Sequence, residues 1–297
     1  MNFFFEVVAG GLLAGVMYAL VALGFVLIYK ASGVFNFAQG SMVFFAALTF
    51  VSLTERGWNL WLALAVTLVV MVLMGIAIER LVLRPLVNQP PITLLMATIG
   101  LAFVLEGISQ LAWGSQPHGL ELGVPDVPIE WLSQKWNISV SQFDVFAALV
   151  AGVLVAALAV FFQKTRIGRA LRAVADDHQA ALAVGIPLQH IWSIVWAVAG
   201  FVALVAGLMW GVRNGVQYAL TFTALKALPV LILGGFESIA GAIVGGLIIG
   251  ASEKLAEVYV GPFVGGGIES WFAYVIALLF LLVRPEGLFG EKIIDRV

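Results

Sequence analysis

Two ionisable side chains stand inside runs that are otherwise apolar: Glu106 within 92–113, and Lys226 within the weaker run 216–235. A charge in hydrocarbon is costly, so such groups either line a solute or ion path or reach an interface. Glu106 fits a cavity-facing carboxylate or one that reaches the outer surface. Lys226 fits a snorkelling cation, a cavity-facing one, or a run whose boundary lies elsewhere. A polar cluster, Asn36, Gln39 and Ser41, sits at the start of the run 34–53, where Gly33 and Gly40 loosen the helix around it. Irregular backbone at membrane depth needs protein or a water-filled cavity around it, so this stretch reads as an interrupted helix beside a path or as a helix with a wet first turn. Hydrolytic chemistry has no support. GxxxxGK[ST], GxSxG and HExxH do not occur, and cysteine is absent. His118, His178 and His190 lack ligand spacing, so no metal site is expected.

The elements that position these residues are set by composition. The 297 residues are 62% hydrophobic and 11% charged, with net charge −2 and mean hydropathy +1.07. Soluble domains carry about 25% charge, and nothing in the charge balance suggests nucleic acid. Apolar runs fall at 7–29, 34–53, 59–82, 92–113, 144–163, 190–212, 238–252 and 270–283, with 216–235 weaker because Lys226 and Pro229 interrupt it. The first run continues too far for a cleavable signal and follows no basic region, so it is expected to remain a membrane helix. The expectation is an all-α polytopic membrane protein with 8–9 transmembrane helices, one or two of them broken or re-entrant. With the N-terminus outside and the C-terminus cytoplasmic, ten of the 15 lysines and arginines fall inside, Lys292 and Arg296 among them. That arrangement needs an odd number of crossings, which favours nine.

Spacing adds two further readings. Gly15–Leu20 (GVMYAL) recurs as Gly215–Leu220 (GVQYAL), Phe35 and Gly40 recur as Phe236 and Gly241, and Leu83-Arg84-Pro85 recurs as Val283-Arg284-Pro285. A parallel internal repeat is one reading, and chance matching in apolar sequence is the other. From Gly234 onward, Gly235, Ser238, Gly241 and Gly245 form a small-residue seam that lets helices approach closely. It serves either packing within the chain or a surface for a second subunit or a moving helix. The loop 114–143, with Pro117, Pro125, Pro128, Trp131 and Trp136, fits an outer cap that meets a soluble partner or a wet loop with interfacial anchors.

The segment 164–190 is the one sustained polar stretch. Arg166, Arg169 and Arg172 make its first part basic and amphipathic. Asp176 or Asp177 is placed to cap a short helix through Val184, which Gly185 and Pro187 end. A helix of about eight residues is unstable alone, so it needs either a docking surface or the lipid headgroup zone.

Taken in order, several motifs resemble the permease family of ABC importers for branched-chain, or high-affinity hydrophobic, amino acids. They are Tyr18-Ala-Leu and Asn36-Phe-Ala-Gln-Gly; Leu83-Arg-Pro-Leu and Ala97-Thr-Ile-Gly-Leu101; Thr165-Arg-Ile-Gly-Arg-Ala-Leu-Arg-Ala-Val-Ala-Asp176 with Gly185-Ile186; Leu225-Lys-Ala; Gly234-Gly; and Arg284-Pro-Glu-Gly-Leu-Phe289. The resemblance covers essentially the whole chain, 1–297, as a single transmembrane permease domain with a cytoplasmic coupling segment 164–190 and an extracytoplasmic loop 114–143. It implies a multi-pass subunit of the bacterial cytoplasmic membrane that works with a second permease, two ATP-binding subunits and an extracytoplasmic solute-binding protein. ATP and magnesium would sit on the partners, with no cofactor on this chain. Arg166, Gly168, Arg169, Arg172, Asp176, Asp177, Gly185 and Ile186 would carry coupling. Asn36, Gln39, Ser41, Thr98, Glu106 and Lys226 are the expected path residues. Many relatives have His where this chain has Gln39, so no role for that position is carried over. A stand-alone channel or secondary carrier for a small polar solute such as urea or an amide is the alternative.

Overall fold

Every apolar run becomes helix in the computed structural model, which describes residues 2–86, 89–136, 138–176 and 178–290. Lys292, Arg296 and Asp177 lie outside the described residues. The main helices are α1 (Asn2–Ser32), α2 (Gln39–Glu55), α3 (Leu60–Ile78), α4 (Pro91–Trp113), α5 (Glu130–Trp136), α6 (Gln142–Lys164), α7 (Arg166–Asp176), α8 (His178–Ala183), α9 (Leu188–Asn214), α10 (Thr223–Gly234), α11 (Ile239–Tyr259), α12 (Gly261–Val264) and α13 (Phe272–Val283). Among the described residues no strand forms beyond two isolated bridges. Among the described residues, six helical stretches are long and apolar enough to cross a membrane, and Tyr218–Gly234 and Phe272–Val283 are shorter apolar ones.

Three boundaries differ from the sequence expectation. The second run starts its helix only at Gln39, because Gly33 turns the chain at φ +66 and the next residues are held by side chains. The weak run opens as a 3-10 helix, Tyr218–Phe222, and continues as α10 with Pro229 inside it. The run expected to stop at 252 continues to Tyr259, so Glu253, Lys254 and Glu257 are helical.

Chain contacts divide the molecule into two compact units. In the unit of residues 23–122 and 156–224, α2 is buried on nearly every side, as expected of a helix apolar all round. Here α3 and α9 cross through glycines: a Cβ at Gly75 would lie 2.4 Å from Trp196 O, and one at Gly200 2.6 Å from Met71 O. By contrast α4 buries only a narrow stripe, Thr98, Leu105 and Ser109, while Phe103 and Leu111 are exposed. In the unit of 1–22, 123–155 and 225–297, α11 presents one glycine stripe to α10 and another to α1. A Cβ at Gly245 would sit 2.6 Å from Val230 O, and one at Gly246 2.6 Å from Gly15 O. The seam glycines therefore pack against helices of the same chain.

The repeat matches end in unlike local structures at two of their three places: Arg84-Pro85 is 3-10 helix, whereas Arg284-Pro285 follows the end of α13. Gly40 and Gly241 both begin a helix after a turn, and each lies against a backbone carbonyl, Thr221 O at 2.1 Å and Gly234 O at 2.1 Å from the would-be Cβ. Gly15–Leu20 is helix interior, whereas Gly215–Leu220 is a bend entering a 3-10 turn.

Candidate functional site

The polar segment folds as an elbow. Thr165 caps α7: its hydroxyl accepts from Gly168 N at 3.0 Å and donates to Phe161 O at 2.6 Å. Gly168 has no room for a side chain, since a Cβ would lie 2.1 Å from Phe162 O. The arginines close the end of α6. Arg172 donates to Phe162 O and, at 3.4 Å, to Gln163 O, while Arg169 donates to Lys164 O at 3.3 Å. Cations belong at such a carbonyl-rich terminus, so these two side chains hold the elbow's shape. Arg166 is exposed. Asp176 is the last residue of α7. The short helix α8 stops where expected. Ile186 N donates to Ala181 O and Gly185 N to Leu182 O, both at 3.0 Å, with Gly185 at φ +81. That is a Schellman motif. Leu182 and Val184 remain 55% and 75% exposed. Beside them lies a cavity of about 440 Å³ lined by Arg84, Leu182, Pro187, Leu188, Gln189, His190 and Trp192.

The break before α2 is a hydrogen-bonded knot. Asn36 and Gln39 are fully buried. Asn36 Oδ1 accepts from Ala38 N at 3.1 Å, and its amide donates to Gln39 Oε1 at 3.3 Å. Thr98 on α4, also fully buried, donates to Phe35 O at 3.1 Å and accepts from Phe37 N at 3.3 Å. These three residues satisfy the backbone that the missing helix turn leaves open. Gln39 Nε2 is buried without a partner, and it lies where a Cβ at Gly24 would be 2.2 Å away. Two positions further on, Ser41 Oγ donates to Glu106 at 2.8 Å, and Tyr218 OH donates to the other carboxylate oxygen at 3.1 Å. Glu106 is thus held by α2 and the 3-10 turn.

Lys226 belongs to the other unit and joins a different set. Its Nζ is 2.9 Å from Glu253, 3.4 Å from Tyr18 OH and 4.0 Å from Glu269, which also holds Lys254 at 3.0 Å. Glu253 is almost fully buried and accepts from Tyr18 as well. In the first unit, Glu79 is fully buried, paired with Arg84 through both oxygens at 3.1 and 2.9 Å, and bonded by Ser193 at 2.7 Å.

Buried carboxylates paired on apolar helices, together with a capped polar elbow, describe a helical membrane protein. A family model for the permease component of branched-chain amino acid transport systems matches residues 7–284. The chain belongs to that permease family. It is 29% identical over 307 residues to the high-affinity branched-chain amino acid transport system permease protein LivH of Escherichia coli K12, covering 99% of this chain and 98% of that protein. It is 28% identical to BraD of Pseudomonas aeruginosa over 306 residues, again covering 99% and 98%. A solved structure, PsaBC from Streptococcus pneumoniae in complex with Fab, aligns over 95% of this chain and 93% of that one, at TM-score 0.47 and 13% identity. The protein is therefore a membrane permease component, not an enzyme.

Sequence reasoning about this permease missed Glu79, Tyr18, Glu253, Lys254 and Glu269 as members of charge networks. Glu79 was legible in part, since Glu79 and Arg84 lie five apart at the end of an apolar run. The other network joins residues up to 251 positions apart, and no local spacing signals that.

Proposed function

We propose that this permease is a transmembrane subunit of an ABC importer for branched-chain or related amino acids, driven by separate ATPases that grip segment 165–186. The observation that carries the reading is the elbow itself: α8, six residues long, is stopped by a full C-terminal motif yet leaves Leu182 and Val184 bare. Apolar side chains on so short and well-ended a helix are suited to a partner's groove. The curated relatives are transport-system permeases, which agrees with partners that supply ATP, magnesium and solute selectivity. In this reading the chain crosses the inner membrane eight or nine times, N-terminus outside and C-terminus cytoplasmic. A second permease, identical or paralogous, completes the path, and a solute-binding protein delivers to its outer face. Asn36, Gln39, Ser41, Thr98, Glu106 and Lys226 border the path or hold the elements that do. Arg166, Gly168, Arg169, Arg172, Asp176, Asp177, Gly185 and Ile186 transmit the ATPase stroke. Two parallel repeats, 200 positions apart, would give the halves of the pathway.

The double variant Gly185→Pro with Arg169→Glu tests this in proteoliposomes holding the whole transporter. Proline cannot donate to Leu182 O, and the reversed charge faces the α6 carbonyls. Uptake per assembled complex is expected to collapse while ATP is still hydrolysed. Unchanged uptake overturns the coupling role.

A further inference from the structure

Three glutamates stand more than a helical turn inside the long apolar spans: Glu79, Glu106 and Glu253. Two have a basic partner, Arg84 at 2.9 Å and Lys226 at 2.9 Å. Glu106 has none among the described residues, and its partners are the hydroxyls of Ser41 and Tyr218. A carboxylate offers about four acceptor positions, so two stay open. Hydroxyl donors ease burial of the charge without neutralising it. Ser41 lies in the first turn of α2, among the backbone amides that have no partner within the helix. The carboxylate is also only half-buried. Beside it stand aromatic rings: Phe44 meets Tyr218 edge-on at 6.3 Å, and Tyr218 meets Phe222 edge-on at 5.6 Å. Tyr218 and Phe222 are 42% and 53% exposed. An open anion next to accessible ring faces suits an organic ammonium group, through charge and cation–π attraction together.

We propose that Glu106, with Tyr218 beside it, forms a subsite for the primary ammonium group of the transported solute. The solute's apolar portion then lies against Tyr218 and Phe222. The solute supplies to Glu106, in transit, the counter-ion that Arg84 and Lys226 supply permanently to the other two glutamates. Naming an ammonium-bearing solute rests on the reading of the chain as an amino-acid importer, and it adds a chemical requirement to that reading.

Two measurements test it. In proteoliposomes with the complete transporter, Glu106→Gln is expected to lower L-leucine uptake per complex by roughly ten- to a hundredfold, the scale of a lost charged hydrogen bond, while Glu106→Asp retains more. In the assembled complex without its solute-binding protein, a hydrophobic carbodiimide modifies Glu106, read as an adduct by mass spectrometry. L-leucine and isopentylamine are expected to slow the modification, and 4-methylpentanoate, which lacks the ammonium, is not. Full uptake by Glu106→Gln overturns the subsite, because a group that merely binds a proton or packs is replaceable by the neutral amide. Equal protection by 4-methylpentanoate, or no protection by either ammonium compound, overturns it as well. A wild-type transporter that imports no amino acid, yet shows isopentylamine protection, refutes the amino-acid reading and leaves the ammonium subsite standing.

Discussion

Glutamates in the apolar helices of this permease meet different environments, and each sets a different cost for substitution. Glu79 is enclosed, with Arg84 and Ser193 covering both oxygens. Arg84→Ala strands that charge, and breaking a buried pair costs about 3–5 kcal/mol. Because the Arg84 side chain is 34% exposed, the lower end applies, about 3 kcal/mol. The expected outcome is a clearly lower thermal midpoint in detergent, with most of the loss recovered by Glu79→Gln in the same chain. The same logic holds for Lys226→Met, which leaves Glu253 without its cation. Adding Glu253→Gln should restore stability, and a double variant no better than the single would show that the charges do not act as a pair.

At the level of elements, helix spacing is controlled by which glycines have a neighbour. Gly246 and Gly10 make the contrast. A Cβ at Gly246 would lie 2.6 Å from Gly15 O, whereas one at Gly10 meets nothing within 4 Å. Gly246→Leu is therefore expected to reduce the folded yield sharply, and Gly10→Ala to leave it unchanged or slightly raised, since alanine is the better helix former by about 1 kcal/mol. Size-exclusion recovery of the solubilised protein reads both. In the elbow, Gly168→Ala pushes α7 off the end of α6, while Gly185→Ala costs about 1 kcal/mol for its left-handed backbone. The first should abolish co-purification with the ATPases, and the second should only weaken it. The elbow was legible from sequence because caps, glycine stops and prolines are local signals. The knot before α2 was half-legible. Asn36, Gln39 and Ser41 marked an interruption, but Thr98, which secures it from another helix, is 62 positions from Asn36.

For the whole molecule, the prediction concerns where energy enters. Purified chain alone in liposomes should show no gradient-driven uptake of L-leucine, and adding the ATPases, second permease and binding protein should confer ATP-dependent uptake. Uptake by the chain alone would instead favour a channel or carrier. Composition and run length by themselves determined that this is a helical membrane protein, because burial in lipid admits few alternatives to long apolar helices. Motif order determined the family, and turn chemistry determined the elbow. Tertiary structure alone decided the partners of Glu106, Lys226 and Glu253, and that the seam glycines pack against α1 and α10. Those outcomes depend on contacts between distant segments, and in a chain so rich in interchangeable apolar residues local periodicity does not say which helix faces which.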